Sequence, residues 1–270
     1  MKNFQLFFNP KASDRSYDIF SFEPENKREE KLGNLYMAGV TSKDDVALSY
    51  LAETIKNEYY KNYEDSPIES FKKSIQKANE FLLSEKNKNK VGWLDNLDFI
   101  ILAIDPDFNI NFVKIGKLKT LVLKSDEILN IEGEQYNSSN LFQNVITGKL
   151  IKENKILIIN QNIYDLFEKN NIFEILAKSD IKSINNVFKS KTEFLKNIFG
   201  FCLLIVLTPQ KRKLIRISFP KINFPKITIP KINFYISDTL IPFKIRNQVK
   251  KSLIFILLLI ILLILGYFLF

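Results

Sequence analysis

The stretch LDFIILAIDPDFNINFVKIGKLKTLVL, residues 97–123, decides the fold of this chain. Residues 97–104, 109–115 and 119–123 are short apolar or alternating runs, which are typical of β-strands. The sequence Asp-Pro-Asp at 105–107 separates the first two runs, and it is a turn sequence because Pro presets its φ and Asp accepts local backbone hydrogen bonds. We therefore predict three consecutive strands that follow one another as a meander.

Two amphipathic helices are predicted ahead of these strands. The first begins near Ser42, which with Asp45 resembles a capping box. The second has Ser66 as N-cap, Pro67 at its first position and Glu69 three residues after the cap. Each helix carries an apolar stripe at helical spacing. The stripes are Leu48, Leu51, Ile55 and Tyr59 in the first helix, and Ile68, Phe71, Ile75, Ala78 and Leu82 in the second.

The rest of the body, residues 1–208, is predicted to be mixed. Strands are expected at 3–8, 17–22, 34–39, 128–131, 155–160 and 201–207, and helices at 163–169 and within 172–197. Hairpins and grouped helices without strict strand–helix alternation indicate an α+β fold in which helices cover a sheet sandwich.

Composition excludes several kinds of chemistry. The 270 residues include no His and one Cys, so His-based triads, His-x-x-x-His zinc sites, thiolate zinc clusters and internal disulfides are excluded. Cys202 lies inside a predicted apolar strand, which favours a buried small hydrophobe over a nucleophile. Lys, Asn and Ile richness suggests an AT-rich, bacterial source.

The net charge of +9 belongs to the C-terminal part of the chain. Residues 211–270 contain 11 Lys+Arg and one Asp, whereas residues 1–210 contain 28 Lys+Arg and 29 Asp+Glu. A basic tail beside apolar sequence indicates a membrane surface, and a neutral body does not suggest nucleic-acid binding. Membrane lipids are therefore an expected partner, and nucleic acid is not.

Residues 252–270, SLIFILLLIILLILGYFLF, predict a transmembrane helix. The run has no charge, and at ~1.5 Å per residue it is long enough to cross a hydrocarbon core of ~30 Å. The residues named as membrane-spanning are Leu253, Phe255, Leu258, Ile261, Leu265 and Phe268. Basic residues precede the run and none follows it, so the positive-inside rule predicts a single-pass, tail-anchored protein with a cytoplasmic N-terminal domain.

A proline repeat lies within the linker, residues 209–251. Residues 219–233 read FPKIN-FPKIT-IPKIN, and proline at every fifth position forbids a regular helix or a central strand. The repeat is either a stiff spacer or an interfacial strip whose lysines meet anionic headgroups. The basic residues expected at the membrane surface are Lys221, Lys226, Lys231, Lys244, Arg246, Lys250 and Lys251.

Five phrases of the body resemble, in order, those of metal-dependent phosphatases of the protein phosphatase 2C type. Residues 33–39 are similar to the strand that leads into the family's metal-binding Asp-Gly, and 78–82 to its Ala-Asn-x-x-Leu helix phrase. Residues 112–123 resemble the strands around Gly-Asp-Ser-Arg, 155–167 the Ser-Asp-Gly-Leu-x-Asp turn, and 201–207 the last strand. The resemblance implies an α-β-β-α sandwich, in which the family's carboxylates hold two divalent ions that activate a water.

This chain departs from the family pattern at the metal ligands. The Asp-Gly falls on residues 39–41, the Asp of Gly-Asp-Ser-Arg becomes Lys117, the Ser-Asp-Gly becomes residues 160–162, and the Asp-Asn pair falls near residues 200–201. Asp165 keeps its place, although a local cap or salt bridge would also explain it. These departures from the family pattern therefore predict no metal cofactor and no catalytic residue.

Other acidic and aromatic residues leave alternatives open. Asp44 and Asp45 are either displaced metal ligands, with Mn²⁺ or Mg²⁺ as the alternative cofactor, or acids in the first turn of a helix. The pairs Asp95/Asp98 and Asp105/Asp107 are interpreted as solvated loop and turn acids. Trp93 is either a core aromatic or a surface anchor.

Three functions follow from these observations. The leading hypothesis is a membrane-tethered pseudophosphatase that binds a protein partner. The second is a diverged active phosphatase that uses Asp44, Asp45 and Asp165, and the third is an unrelated tail-anchored structural protein.

Overall fold

A computed structural model of the chain describes residues 1–8, 14–42, 47–88, 92–131, 141–195 and 198–208. Within these ranges no helix is long and apolar enough to cross a membrane. The predicted transmembrane helix at 252–270, the linker at 209–251 and all their named residues lie outside the described residues. So do Asp44 and Asp45.

Two five-stranded sheets form the centre of the body, and their strands pair antiparallel. The first sheet has the order β1-β10-β9-β6-β7 and the second β2-β3-β4-β5-β8. The strands are β1 (Lys2–Phe8), β2 (Arg15–Phe22), β3 (Asn34–Ser42), β4 (Asp98–Ile104), β5 (Asn109–Ile115), β6 (Lys119–Leu123), β7 (Ile128–Asn130), β8 (Ile146–Lys149), β9 (Lys155–Ile159) and β10 (Gly200–Val206).

Helices cover the outer face of each sheet. The helices are α1 (Ala47–Lys61), α2 (Pro67–Asn87), α3 (Gln161–Lys169), α4 (Ile172–Lys178), α5 (Ile184–Ser190) and α6 (Thr192–Leu195). One apolar core joins α1 and α2 to the second sheet, another joins α3 to α6 to the first sheet, and a third fills the space between the sheets. The layers are therefore α-β-β-α, as the resemblance implied.

Strand β4 is apolar from Phe99 to Ile104 because both of its faces are buried. Phe99, Ile101 and Ala103 pack towards the α1 and α2 layer. Ile100 and Leu102, on the opposite face of the strand, pack in the core between the sheets. A strand buried on both faces needs a continuous apolar run, because successive side chains point to opposite sides of the sheet.

Several local predictions are confirmed. Strand β5 has the predicted bounds, and the Ser66 hydroxyl accepts a hydrogen bond from the backbone N–H of Glu69 at 3.3 Å, as an N-cap does. The predicted stripe of α1 is buried. Trp93 is a core aromatic, and Cys202 is buried in β10.

Three predictions were wrong in detail, and one strand was not predicted. Helix α1 begins at Ala47, because Ser42 is the last residue of β3 and pairs with Arg15. The three predicted strands do not form one meander, because β6 joins the other sheet. Strand β8 was not predicted: its sequence ITGK has no apolar alternation and lies at a sheet edge. Asp105 is not solvated, since it is buried and accepts hydrogen bonds at 2.9 Å from the backbone N–H groups of Asp107 and Asn109.

Candidate functional site

A cavity of about 310 Å³ lies where the end of β3, the β5–β6 turn, the start of α3 and the residue before β10 meet. It is lined by Asp14, Arg15, Tyr17, Val40, Asp98, Lys117, Leu118, Asn160, Gln161, Asn162 and Phe199. The two sheets both contribute, since Val40 belongs to the second sheet and Asn160 follows a strand of the first.

The cavity brings together segments that the sequence resemblance matched to the family's metal-binding motifs. Val40 lies within the segment 39–41 that the resemblance matched to Asp-Gly, and Lys117 is the residue that it matched to the Asp of Gly-Asp-Ser-Arg. Residues 160–162 were matched to Ser-Asp-Gly, and Phe199 lies next to the position matched to Asp-Asn. These positions are distant in the sequence, and the fold places them around one cavity.

Asp98 organises one side of the cavity. One carboxylate oxygen, Oδ1, accepts a hydrogen bond from the backbone N–H of Lys117 at 2.7 Å. The other, Oδ2, lies 3.8 Å from Nη1 of Arg15. The side chain of Asp98 is 18% exposed. This carboxylate is therefore held by its own neighbours on β2 and in the β5–β6 turn.

Asn160 organises the opposite side. It is the N-cap residue of α3, but its side chain does not cap that helix. Its Nδ2 donates to the carbonyl oxygen of Phe199 at 3.2 Å, and its Oδ1 accepts from the N–H of Phe201 at 3.2 Å. Gly200 has a φ of 150°, and a Cβ at this position would collide with the Asn160 side chain. Asn160 therefore fixes the start of β10 against the end of β9.

Asp165 does not line the cavity. It lies one turn along α3 and accepts a hydrogen bond from Nε2 of Gln161 at 2.6 Å. This is a local contact between residues four apart on a helix surface. Asp44 and Asp45, the other candidate metal ligands, remain predictions because they lie outside the described residues.

A pair of divalent metal ions needs a larger set of oxygen ligands than the described residues around the cavity supply. Hard divalent cations take several oxygen ligands, many of them anionic. The described lining offers the carboxylates of Asp14 and Asp98, and Asp98 already accepts from its neighbours. Lys117 adds a positive charge, and within the described ranges no cluster of three His, Cys, Asp or Glu side chains could hold a metal. The described lining does not fit a pair of divalent ions.

Sequence reasoning missed part of this site. Asp98, interpreted as a solvated loop acid, begins β4 and lines the cavity, as do Arg15 and Phe199. The sequence held one signal for the turn beside the cavity, which is the glycine at position 116 before Lys117. In the structure Gly116 has a φ of 79°, a conformation that favours glycine. Cys202 is no candidate nucleophile, because complete burial raises the pKa of its thiol.

A sandwich of two sheets with helical outer layers is the architecture that the resemblance to protein phosphatase 2C implied. No protein-family model and no curated protein matches the sequence. A solved bacterial serine phosphatase is 10% identical, covers 78% of this chain and 98% of its own, and has a TM-score of 0.51. A bacterial serine phosphatase bearing an arginine-to-alanine mutation is 11% identical, covers 77% and 97%, and has a TM-score of 0.53.

One further solved structure is similar to a lesser degree. The protein phosphatase 2C domain of the Bacillus subtilis cell fate determinant SpoIIE is 11% identical, covers 75% of this chain and 61% of that one, and has a TM-score of 0.47. The body of this chain has the fold of protein phosphatase 2C-type phosphatases, which confirms the resemblance found in the sequence.

Proposed function

We propose that this chain is a membrane-anchored, catalytically inactive phosphatase-like protein that acts as a binding or scaffold module at the cytoplasmic face. The observation that carries the proposal is the lining of the cavity. The resemblance expects a carboxylate at Lys117 and another within residues 39–41, where Val40 lines the cavity. The Asp98 carboxylate accepts the backbone N–H of Lys117 and faces Arg15. An ammonium group and an apolar side chain cannot ligate a divalent cation.

The packing of apolar side chains nevertheless stabilises the fold. Three apolar cores hold the four layers together, and Val40 and Leu118 of the cavity wall belong to the core between the sheets. A stable scaffold with an altered site suits recognition of a protein partner better than turnover. The proposal needs no Mn²⁺ or Mg²⁺ as cofactor.

The sequence of the C-terminal segment supports the proposed location at the cytoplasmic face of a membrane. Residues 252–270 are apolar without a charge, and Lys250 and Lys251 precede them. This arrangement favours a single membrane span with the body in the cytoplasm. The basic proline repeat would then lie beside anionic lipid headgroups, which are the second partner of the chain.

A phosphatase assay of the full-length chain tests the proposal. The purified chain is incubated with p-nitrophenyl phosphate and with phosphoserine peptides, in the presence of Mn²⁺ or Mg²⁺. We expect no turnover above that of a heat-unfolded sample. Metal-dependent turnover that disappears in Asp165→Asn would replace this proposal with the diverged active phosphatase.

A further inference from the structure

The β5–β6 turn holds Lys117 at a defined place on the cavity wall. Gly116 adopts a φ of 79°, and a Cβ there would collide with Asp98. Asp98 accepts the Lys117 N–H at 2.7 Å, and Nζ of Lys114 donates to the carbonyl oxygen of Leu118 at 2.8 Å. Hydrogen bonds therefore fix the turn at Lys117 and at the next residue, Leu118.

Some of the charged side chains around the cavity have partners of opposite charge, and others do not. Arg15 and Asp98 lie 3.8 Å apart and face each other as an ion pair. Within the described residues, the ammonium of Lys117 makes no ion pair or hydrogen bond, and neither does the side-chain amide of Asn162. The remaining carboxylate is Asp14, which is exposed. Val40 and Leu118 are buried and add apolar wall, whereas Lys117, Asn162 and Phe199 are exposed and accessible to a ligand from solvent.

We propose that this cavity binds an oxyanion directly through the Lys117 ammonium, without a divalent metal. Asn162 supplies a second donor of the kind that an oxyanion accepts from. The oxyanion is a phosphate or a carboxylate group. Both groups present negatively charged oxygen atoms that accept hydrogen bonds from the Lys117 ammonium. The inference rests on the proposed function, because it names what the inactive cavity would bind.

Thermal unfolding of the full-length chain in EDTA tests the inference. Inorganic phosphate is titrated at constant ionic strength, and acetate is titrated in a parallel series. A ligand that binds the folded state raises the Tm in a saturable way. We expect a saturable rise with at least one of these two anions, and the anion with the lower half-saturating concentration identifies the source.

Three variants make the test specific. Lys117→Gln should raise the half-saturating concentration about tenfold or more, because it removes a charge-assisted hydrogen bond. Asp14→Asn should lower it by removing a repulsive charge. Lys86→Gln, on the exposed face of α2 and away from the cavity lining, is the matched control and should behave as the unmodified chain. Far-ultraviolet circular dichroism confirms that each variant is folded.

The outcomes separate this inference from the proposed function. No saturable rise, or the same rise in Lys117→Gln as in the unmodified chain, would overturn the oxyanion site. Metal-dependent turnover would overturn the inactive assignment, and it is measured separately because the binding titration contains EDTA throughout.

Discussion

The backbone N–H of Lys117 donates a hydrogen bond to Oδ1 of Asp98 at 2.7 Å, across a separation of 19 residues in the sequence. This bond joins the turn after β5 to the start of β4, at the wall of the cavity. Asp98 therefore has a structural role as a hydrogen-bond acceptor. Its negative charge faces Arg15, and the ammonium of Lys117 has no such partner among the described residues.

Replacing Asp98 tests that structural role. Asp98→Ala removes the acceptor of the Lys117 N–H and the partner of Arg15. We expect a loss of about 1–3 kcal/mol in the free energy of unfolding, the usual cost of leaving a largely buried group without its partner. Urea denaturation measures it. Asp107→Ala, at an exposed turn position, is the control and should stay within about 0.5 kcal/mol. Equal effects of the two substitutions would contradict the role given to Asp98.

Gly116 gives a second test of the same turn. Gly116→Ala adds a Cβ at a φ of 79°, where it collides with Asp98. We expect a destabilisation of more than about 1 kcal/mol, because both the backbone conformation and the contact are unfavourable. Gly92→Ala is the matched control, since a Cβ at Gly92 meets no atom within 4 Å. If both variants unfold at the same denaturant concentration, the turn is not constrained as described.

The burial of Tyr36 leads us to expect that the free energy of unfolding falls at alkaline pH. Burial raises the pKa of Tyr36 from 10.0 to about 12, and Asn34 donates a hydrogen bond to its hydroxyl at 3.1 Å. The folded pKa lies above the unfolded pKa, so this contribution is complete below pH 10 and is lost as the pH rises from about 10 to about 12. One such group removes about 1.4 kcal/mol per pH unit in that window.

Urea denaturation between pH 9 and about pH 11.5 measures this dependence. Tyr36→Phe should be less stable at pH 9, where the Asn34 donor loses its acceptor, but its stability should fall less steeply above about pH 10. Burial raises the pKa values of Tyr59 and Tyr60 as well, so a smaller slope persists. Tyr50→Phe, at a residue 65% exposed, is the control. An unchanged slope in Tyr36→Phe would show that Tyr36 does not titrate as described.

The orientation of the predicted membrane anchor is testable in cells. The basic residues before 252–270 predict a cytoplasmic body, so protease added outside intact cells should leave the body uncut. Cell lysis before protease addition is the control, and it should permit digestion. Digestion of the body in intact cells would reverse the predicted topology.

Local sequence predicted most elements because their signals are local. The Ser66 cap and the Asp-Pro-Asp turn act within four residues, and the alternating strands carry their own period. The same kind of signal failed at Ser42, where a resemblance to a capping box was overridden by pairing of β3 with β2. Edge strand β8 lacked a signal because one apolar residue and a glycine do not make an alternation.

Periodicity, composition and the family phrases were enough to identify the α+β class, the four-layer arrangement and the basic, apolar C-terminal segment, because each depends on side chains near in sequence. They could not show that β6 leaves the sheet of β5, nor that Arg15, Asp98, Lys117 and Phe199 surround one cavity. Those contacts join residues up to about 180 positions apart, and the two sheets bring them together only when their shared apolar core forms. The charge of the cavity is therefore a property of the tertiary structure.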